Sequence, residues 1–495
     1  MITTLPTYPA YKDSGVPWLG QVPEHWEVRR LKRIARLNPS KSEVPIALRY
    51  GQAVFLPMER VASDGRFDAS EVRPISGLWN GFTYFRRGDV IVAKITPCFE
   101  NGKGASLENL PTAIGFGSTE FHVIEPSSAV TAPYVYRVTT LSEFRRLGAD
   151  EMTGAAGQQR VPAEFIANFL MPLPPLPEQT AIVRFLDYME RRIRRSIRAK
   201  QKLIKLLEEY RQALIHQAVT GKIDVRTGQP YPSYKDSGVP WLGKVPEHWE
   251  VRKLKYAATF LGGGTPSKAN PSFWEGYIPW VSPKDMKTTV IIDAEDHIND
   301  EAIAASATSI VGPGAVLLVV RSGILRRSIP VAINLVPVAL NQDMKALRPR
   351  GALLMSSYLR ALIQGNQARL IDEWTKQGAT VESIEHQYLA NSYIPLPPLP
   401  EQTAIVEYLD TKTAKLDAAI AAARREIELL REYRERLIAD VVTGKVDVRE
   451  VAAQLPEEPP EEEATEPEPM DEAAALAEDG EDEEGLDLDA VAVGA

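Results

Sequence analysis

From Glu178 onward, apolar side chains return every three or four residues: Ile182, Leu186, Met189, Ile193, Ile197, Ile204, Leu207, Tyr210 and Leu214. A second run repeats the pattern with Ile405, Leu409, Leu416, Ile420, Ile427, Leu430, Tyr433 and Leu437. Charged stretches flank both, as in Arg191-Arg-Ile-Arg-Arg and Arg424-Arg-Glu-Ile-Glu. A narrow apolar seam between polar flanks is the pattern of a coiled-coil helix. Two long helices are therefore predicted, over 178–218 and 401–441. Each follows a proline run, and a proline just ahead of an acidic first turn (Pro177-Glu178, Pro400-Glu401) suits a helix start. About 40 residues at 1.5 Å each make a rod of roughly 60 Å. An exposed seam does not hold a helix in water, so the two are expected to pack on each other, antiparallel.

The proline runs belong to a larger repetition. Pro172–Asp187 reads PLPPLPEQTAIVRFLD and Pro395–Asp410 reads PLPPLPEQTAIVEYLD, an offset of 223 residues. Tyr11–Lys32 returns as Tyr234–Lys255 at the same offset, differing only at Gln21/Lys244 and Arg30/Lys253. Thr220-Gly-Lys-Ile-Asp-Val-Arg returns as Thr443-Gly-Lys-Val-Asp-Val-Arg, again 223 residues on. A period this long signals tandem domains, because solenoid repeats run about 20–50 residues.

Between the repeated blocks the copies diverge. Residues 33–171 and 256–394 are equal in length but share little. Short β-rich runs (Asp89–Ile95, Phe121–Ile124, Ala315–Val320, Val331–Leu335) alternate with Gly/Pro turns and helical stretches (Ala132–Leu147, Gly351–Gln364). That mixture predicts an α+β fold: two globular mixed α/β domains, 1–177 and 234–400, separated by the two helices with pseudo-twofold symmetry. Residues 219–233 read as a linker and 442–455 as the exit of the second helix. Nearly identical surfaces should meet the same partner or each other, and divergent ones should meet different targets.

Charge refines the picture. The net charge of −9 is misleading, since no Lys or Arg follows Arg449 and 17 acidic residues lie between Glu457 and Asp489. Removing them leaves 49 acidic against 57 basic residues, so 1–456 carries about +8. A basic body is compatible with a polyanionic partner, although an ordinary solvated surface explains the same number. The segment 456–495 cannot bury enough apolar surface to fold and is expected to be disordered. The single cysteine, Cys98, excludes an internal disulfide and fits a reducing cytosol. The start lacks a secretory pattern and no run is long enough to span a membrane, so a cytoplasmic protein is expected.

Catalytic signatures are missing. There is no G-x-x-x-x-G-K-[ST] phosphate loop, no G-x-G-x-x-G fingerprint and no G-x-S-x-G elbow. There is no Asn-Pro-Pro or Asp-Pro-Pro followed by an aromatic, the motif with which an amino-methyltransferase holds an extruded adenine. Glu100, Glu120 and Asp343 read as surface or hydrogen-bonding carboxylates, and Cys98 as a small core residue. The six histidines are scattered without ligand spacing.

Two copies of three linked motifs, in order and at one offset, resemble the specificity subunit of type I restriction–modification systems. They are Gly-Val-Pro-Trp-Leu-Gly…Val-Pro-Glu-His-Trp, Pro-Leu-Pro-Pro-Leu-Pro-Glu-Gln with its helix, and Thr-Gly-Lys-Ile/Val-Asp-Val-Arg. The likeness covers Tyr11 to Arg449. It implies two target-recognition domains that each read half of a split, asymmetric site in double-stranded DNA. It also implies an antiparallel coiled coil that sets the gap, and docking of methyltransferase subunits, two of them expected, and of restriction subunits. S-adenosylmethionine, ATP and Mg are then expected on those partners and no cofactor or metal on this chain, which is not itself an enzyme. A coiled-coil scaffold that binds protein and not DNA is the alternative.

Donor and acceptor chemistry at turns, with basic clustering, selects candidate DNA-reading residues. In the first domain these are Lys94, Thr96, Asn101, Lys103, Ser118, Thr119, Gln158, Gln159 and Arg160. In the second they are Thr265, Ser267, Lys268, Ser282, Arg321, Arg326, Arg327, Asn341, Gln342, Lys376 and Gln377.

Overall fold

A computed structural model describes residues 5–155, 158–375 and 382–456. The expected disorder of the acidic tail, from Glu457, lies outside the described residues. The chain divides into two compact units, one combining residues up to Ile193 with those from Glu432 onward, the other Arg194–Arg431.

Both units follow one plan. In the first, a hairpin (Tyr11–Asp13 with Gln21–Pro23) leads to the strand Glu27–Arg30, which pairs antiparallel with Leu170–Leu173. That pairing ties the two ends of the divergent region together just ahead of the first long helix, Leu176–Val219. The region itself holds two four-stranded sheets. One is antiparallel, in the order Ala35–Leu37, Phe121–Pro126, Val90–Ala93, Gly104–Ser106; the other contains the parallel pair Gln52–Leu56 and Ile114–Gly117. Val90–Ala93 is apolar throughout and buried on both faces, which explains why it reads as a continuous apolar run.

In the second unit the hairpin is Tyr234–Asp236 with Lys244–Pro246, and Glu250–Lys253 pairs with Tyr393–Leu396. The enclosed region differs. It has a five-stranded sheet in the order Ala258–Gly262, Met344–Pro349, Val316–Val319, Val331–Asn334, Val290–Ile291, and a three-stranded one. The α+β class and the divergence are as expected from the sequence.

Two helical expectations change. Ala132–Leu147 is two helices, Ala132–Thr139 and Ser142–Asp150. Thr139 and Thr140 turn their hydroxyls back onto the carbonyls of Tyr136 and Arg137, the local bonding by which threonine competes with helix continuation. Gly351–Gln364 starts only at Ser356, because Met355 is extended and the Gln402 side chain takes its N–H.

The second long helix is Leu399–Val442. Within the second unit it packs against the first in antiparallel sense, with ion pairs Lys200–Glu426, Glu208–Arg424 (2.9 Å) and Arg211–Asp417 (2.9 Å). These pairs are partly or largely exposed and set register more than stability. Ile420 and Ile427 are buried, but Tyr210 is 58% exposed and is not part of the seam. In the first unit Ile182, Phe185 and Leu186 share a core with Leu437, Val441 and Val442.

Candidate nucleic-acid interface

The repeated motifs assemble into a joint around a buried glutamate. Glu178 accepts from Trp26 Nε1 (2.8 Å), Tyr8 Oη (3.3 Å) and Arg449 (3.4 Å), and its other close partner is His25 Nε2 (2.6 Å). Glu401 does the same with Trp249 Nε1 (2.8 Å), Tyr231 Oη (3.3 Å), Arg226 (3.3 Å) and His248 Nε2 (2.8 Å). The next residue completes each joint. Gln179 accepts from Thr131 N and donates to Ala129 O and Pro174 O; Gln402 accepts from Met355 N and donates to Leu353 O and Pro397 O. Both glutamines are fully buried, and each satisfies backbone groups that would otherwise be stranded at a helix start. Burial pushes the Tyr8 and Tyr231 hydroxyls well above their ordinary pKa, and the neighbouring glutamate adds to it.

The exit motif closes the joint. Gly444 has φ +78, and a Cβ there would lie 2.4 Å from Pro23 and 2.9 Å from Trp26. Gly221 has φ +71 and the same conflict with Pro246 and Trp249. Only glycine meets both demands. The exit block after the second helix therefore completes the first unit, and the exit block after the first helix completes the second.

The joint holds the divergent region by its ends, and most of the described candidate residues lie in turns and irregular segments between strands, with Arg160 and Arg321 in isolated bridges and Arg326 in a short 3-10 helix. In the first unit Lys94 N donates to Glu120 O, Thr96 N to Gln159 O and Val161 N to Lys94 O. This brings Lys94, Thr96, Ser118, Thr119, Gln159 and Arg160 together. Arg160 forks onto Glu120 (2.9 and 3.0 Å), and this hydrogen bond holds the Glu120 carboxyl below its usual range. Ser118 Oγ accepts from Glu120 N. Asn101 and Gln158 are exposed, and Lys103 reaches the Met58 carbonyl (3.4 Å). Beneath them His122 bridges Asn38 (3.2 Å) and Val161 O (2.9 Å); burial lowers its pKa.

In the second unit the three consecutive glycines Gly262–Gly264 bring the chain onto the turn after Ala339–Leu340. A Cβ on Gly263 would fall 1.9 Å from Asn341 O, so this approach requires glycine. Gly264 N donates to Leu340 O, and Gly264 O accepts from Trp280 Nε1 and Thr308 Oγ1. The segment thereby brings Thr265 onto Gln342. Asn341 is buried and bonded to Asp343, whose carbonyl takes the N–H of Val320 and Arg321. Thr265, Arg321, Asn341 and Gln342 thus gather at one place. Ser267, Lys268 and Arg327 are exposed, and Arg326 stands 3.8 Å from Glu382. Ser282 is buried with its hydroxyl and N–H both on Asp285, a capping box. Lys376 and Gln377 lie outside the described residues.

Sequence reasoning missed Glu120 as the clamp of Arg160, and Glu178 and Glu401 as joint centres beyond their place in a first turn. The exact repetition of His-Trp and Glu-Gln at one offset was the available signal. Among the described residues, no cluster of three or more His, Cys, Asp or Glu could hold a metal ion, and no helix is long and apolar enough to cross a membrane.

Two structurally equivalent joints presenting two unlike turn clusters define a tandem recognition module. The family model described as type I restriction modification DNA specificity domain matches twice, over 23–206 and 246–429. The chain belongs to that family. It is similar to the type I restriction enzyme EcoAI specificity subunit of Escherichia coli, with 35% identity over 198 residues, 38% of this chain and 33% of that protein. It is also similar to the MjaIX specificity subunit of Methanocaldococcus jannaschii, with 29% identity over 195 residues, 38% and 42%. The matches cover at most 58% of the length of the first three Escherichia coli relatives. Among solved structures, a chain from work on complex assembly and conformational transition of the type I R-M system shares the fold with TM-score 0.69 and 20% identity, over 86% of this chain and 99% of that one. The HsdS subunit from Thermoanaerobacter tengcongensis aligns with TM-score 0.51 and 19% identity, over 86% and 98%.

Proposed function

We propose that this chain is the non-catalytic, sequence-reading subunit of a type I restriction–modification complex in the cytoplasm. Each divergent region reads one half of a split asymmetric site in double-stranded DNA, and the long helices set the gap and dock methyltransferase subunits. Adenine methylation, and cleavage with restriction subunits, then belong to partners that carry S-adenosylmethionine, ATP and Mg. The observation that carries this reading is the contrast within one chain. The joints repeat bond for bond, while the turns they hold carry different side chains, Lys94/Thr96/Gln159/Arg160 in one unit and Thr265/Arg321/Asn341/Gln342 in the other.

Physically, Lys and Arg contacts to phosphates supply salt-dependent affinity, and side-chain amides, hydroxyls and guanidinia at base edges supply sequence. Arg160 would reach a base only by exchanging Glu120 for it, so Glu120 acts as a placeholder that keeps the guanidinium oriented. The test is exchange of residues 33–171 for the matching region of another specificity subunit, with methylated adenines mapped genome-wide in cells holding the partner subunits. One half-site should change while the other half and the gap stay. A change in both halves, or in the gap, refutes the proposal.

A further inference from the structure

The joints allow the units to be compared residue by residue. Tyr134 Oη donates to Pro172 O and Val442 O, and Tyr358 Oη to the matching Pro395 O and Val219 O. Arg137 of the first unit therefore corresponds to Ala361 of the second, and Tyr136 to Arg360. On the long helices Asp187 corresponds to Asp410 and Glu190 to Thr413.

In the first unit the Arg137 guanidinium bonds Glu190 (2.5 Å) and Asp187 (2.5 Å). Burial opposes its charge, but the two carboxylates outweigh burial and hold its pKa above the ordinary value. In the second unit both the arginine and the glutamate are gone. At this place lies a cavity of about 420 Å³, lined by Ala361 and Thr413 among others. Apolar side chains, Ile215, Val406 and Leu409 among them, make about half of its lining, and polar ones, Arg360, Arg211 and Ser357 among them, make the rest. Arg360 Nε is buried and finds no hydrogen-bond partner. Burial lowers the pKa of this guanidinium even with Asp410 in range. Asp417, also on the wall, is engaged by Arg211, and Asp410 is exposed.

We propose that this cavity binds a small molecule with an apolar body and one oxyanion, phosphate or carboxylate, whose charge Arg360 holds. A buried donor without an acceptor is costly, and a guanidinium fork suits a two-oxygen acceptor. The volume falls in the range of small-molecule sites, and the mixed lining offers contacts both to an apolar body and to a charged head.

The test uses the full chain without DNA or partner subunits, so its outcome is separate from that of the function proposed above. Binding of phenyl phosphate, benzoate and phenol is measured by equilibrium dialysis and ligand-detected NMR. At least one of the two anions should bind saturably at one site, with phenol far weaker; the tighter anion identifies the head group. Arg360→Gln, which keeps length and removes charge, should weaken binding about 10- to 100-fold. Ala361→Arg with Thr413→Glu rebuilds the pair of the first unit and should abolish binding, with circular dichroism reporting that each variant is folded. Phenol binding as well as the anions, no saturable binding of either anion, or binding unchanged in Arg360→Gln overturns the proposal.

Discussion

Replacement of Glu178 by alanine tests whether the joint is an energetic centre. Trp26 is fully buried and Tyr8 is 3% exposed, and the indole N–H and phenol O–H both end on this carboxylate. A buried donor stripped of its acceptor costs about 1–3 kcal/mol, so these two together give about 4 kcal/mol. His25 and Arg449 have side chains near 40% exposed, rehydrate, and add little. For a unit of this size about 4 kcal/mol lowers the midpoint by roughly 8–16 °C. Calorimetry of the full chain should show this loss, and hydrogen exchange should localise it to the strand Glu27–Arg30 and the start of the first long helix. A double-mutant cycle with Trp26→Phe, which deletes only the N–H from this contact, should return a coupling of about 1–3 kcal/mol. Glu401→Ala should behave the same way in the second unit. A Glu178→Ala chain within about 0.5 kcal/mol of the parent, or a coupling near zero, refutes the reasoning.

Arg137→Ala should cost up to about 3–5 kcal/mol in chemical denaturation because it removes the guanidinium that bonds the buried Glu190; adding Glu190→Thr, as Ala361/Thr413 stand in the other unit, should recover part of that loss. Burial pushes Asp89 up to about 6, so its contribution to stability is greatest below the unfolded value near 3.9 and is lost as pH rises through about 6. Asp89→Asn should therefore match the parent at pH 4 and exceed it by up to about 3 kcal/mol at pH 8. His122 has the opposite sign: its lowered pKa gives stability that is complete above about 6.5 and is lost as pH falls through the folded-state value.

The joints and long helices were legible because they are written twice: repetition at one offset marks what is shared, and 3.6-residue periodicity survives in a long helix. Strand-rich stretches such as Val90–Ala93 and Val331–Asn334 were visible as short apolar runs. The cross-over of the exit blocks was not, since two identical offsets do not say which copy of Thr-Gly-Lys-x-Asp-Val-Arg closes which unit; the fit of Gly444 against Pro23 and Trp26 does. Turn chemistry placed several candidate residues together, but it does not separate a side chain that is free from one that is spent. Ser282 has the same hydroxyl as Ser267, yet it is occupied in a cap.

The least legible feature is a shift of one residue. The divergent regions are equal in length and the 223 offset holds at both ends, so a reader would align Arg137 with Arg360 and infer that the ion pair is repeated. The hydrogen bonds of Tyr134 and Tyr358 show an offset of 224 at this helix, with compensation elsewhere in the region. On a helix one residue is a rotation of about 100°, enough to bring Ala361 where Arg137 stands and to leave Arg360 beside a cavity in place of a carboxylate pair. Equal length therefore conceals a structural difference between the copies that the hydrogen-bond register exposes.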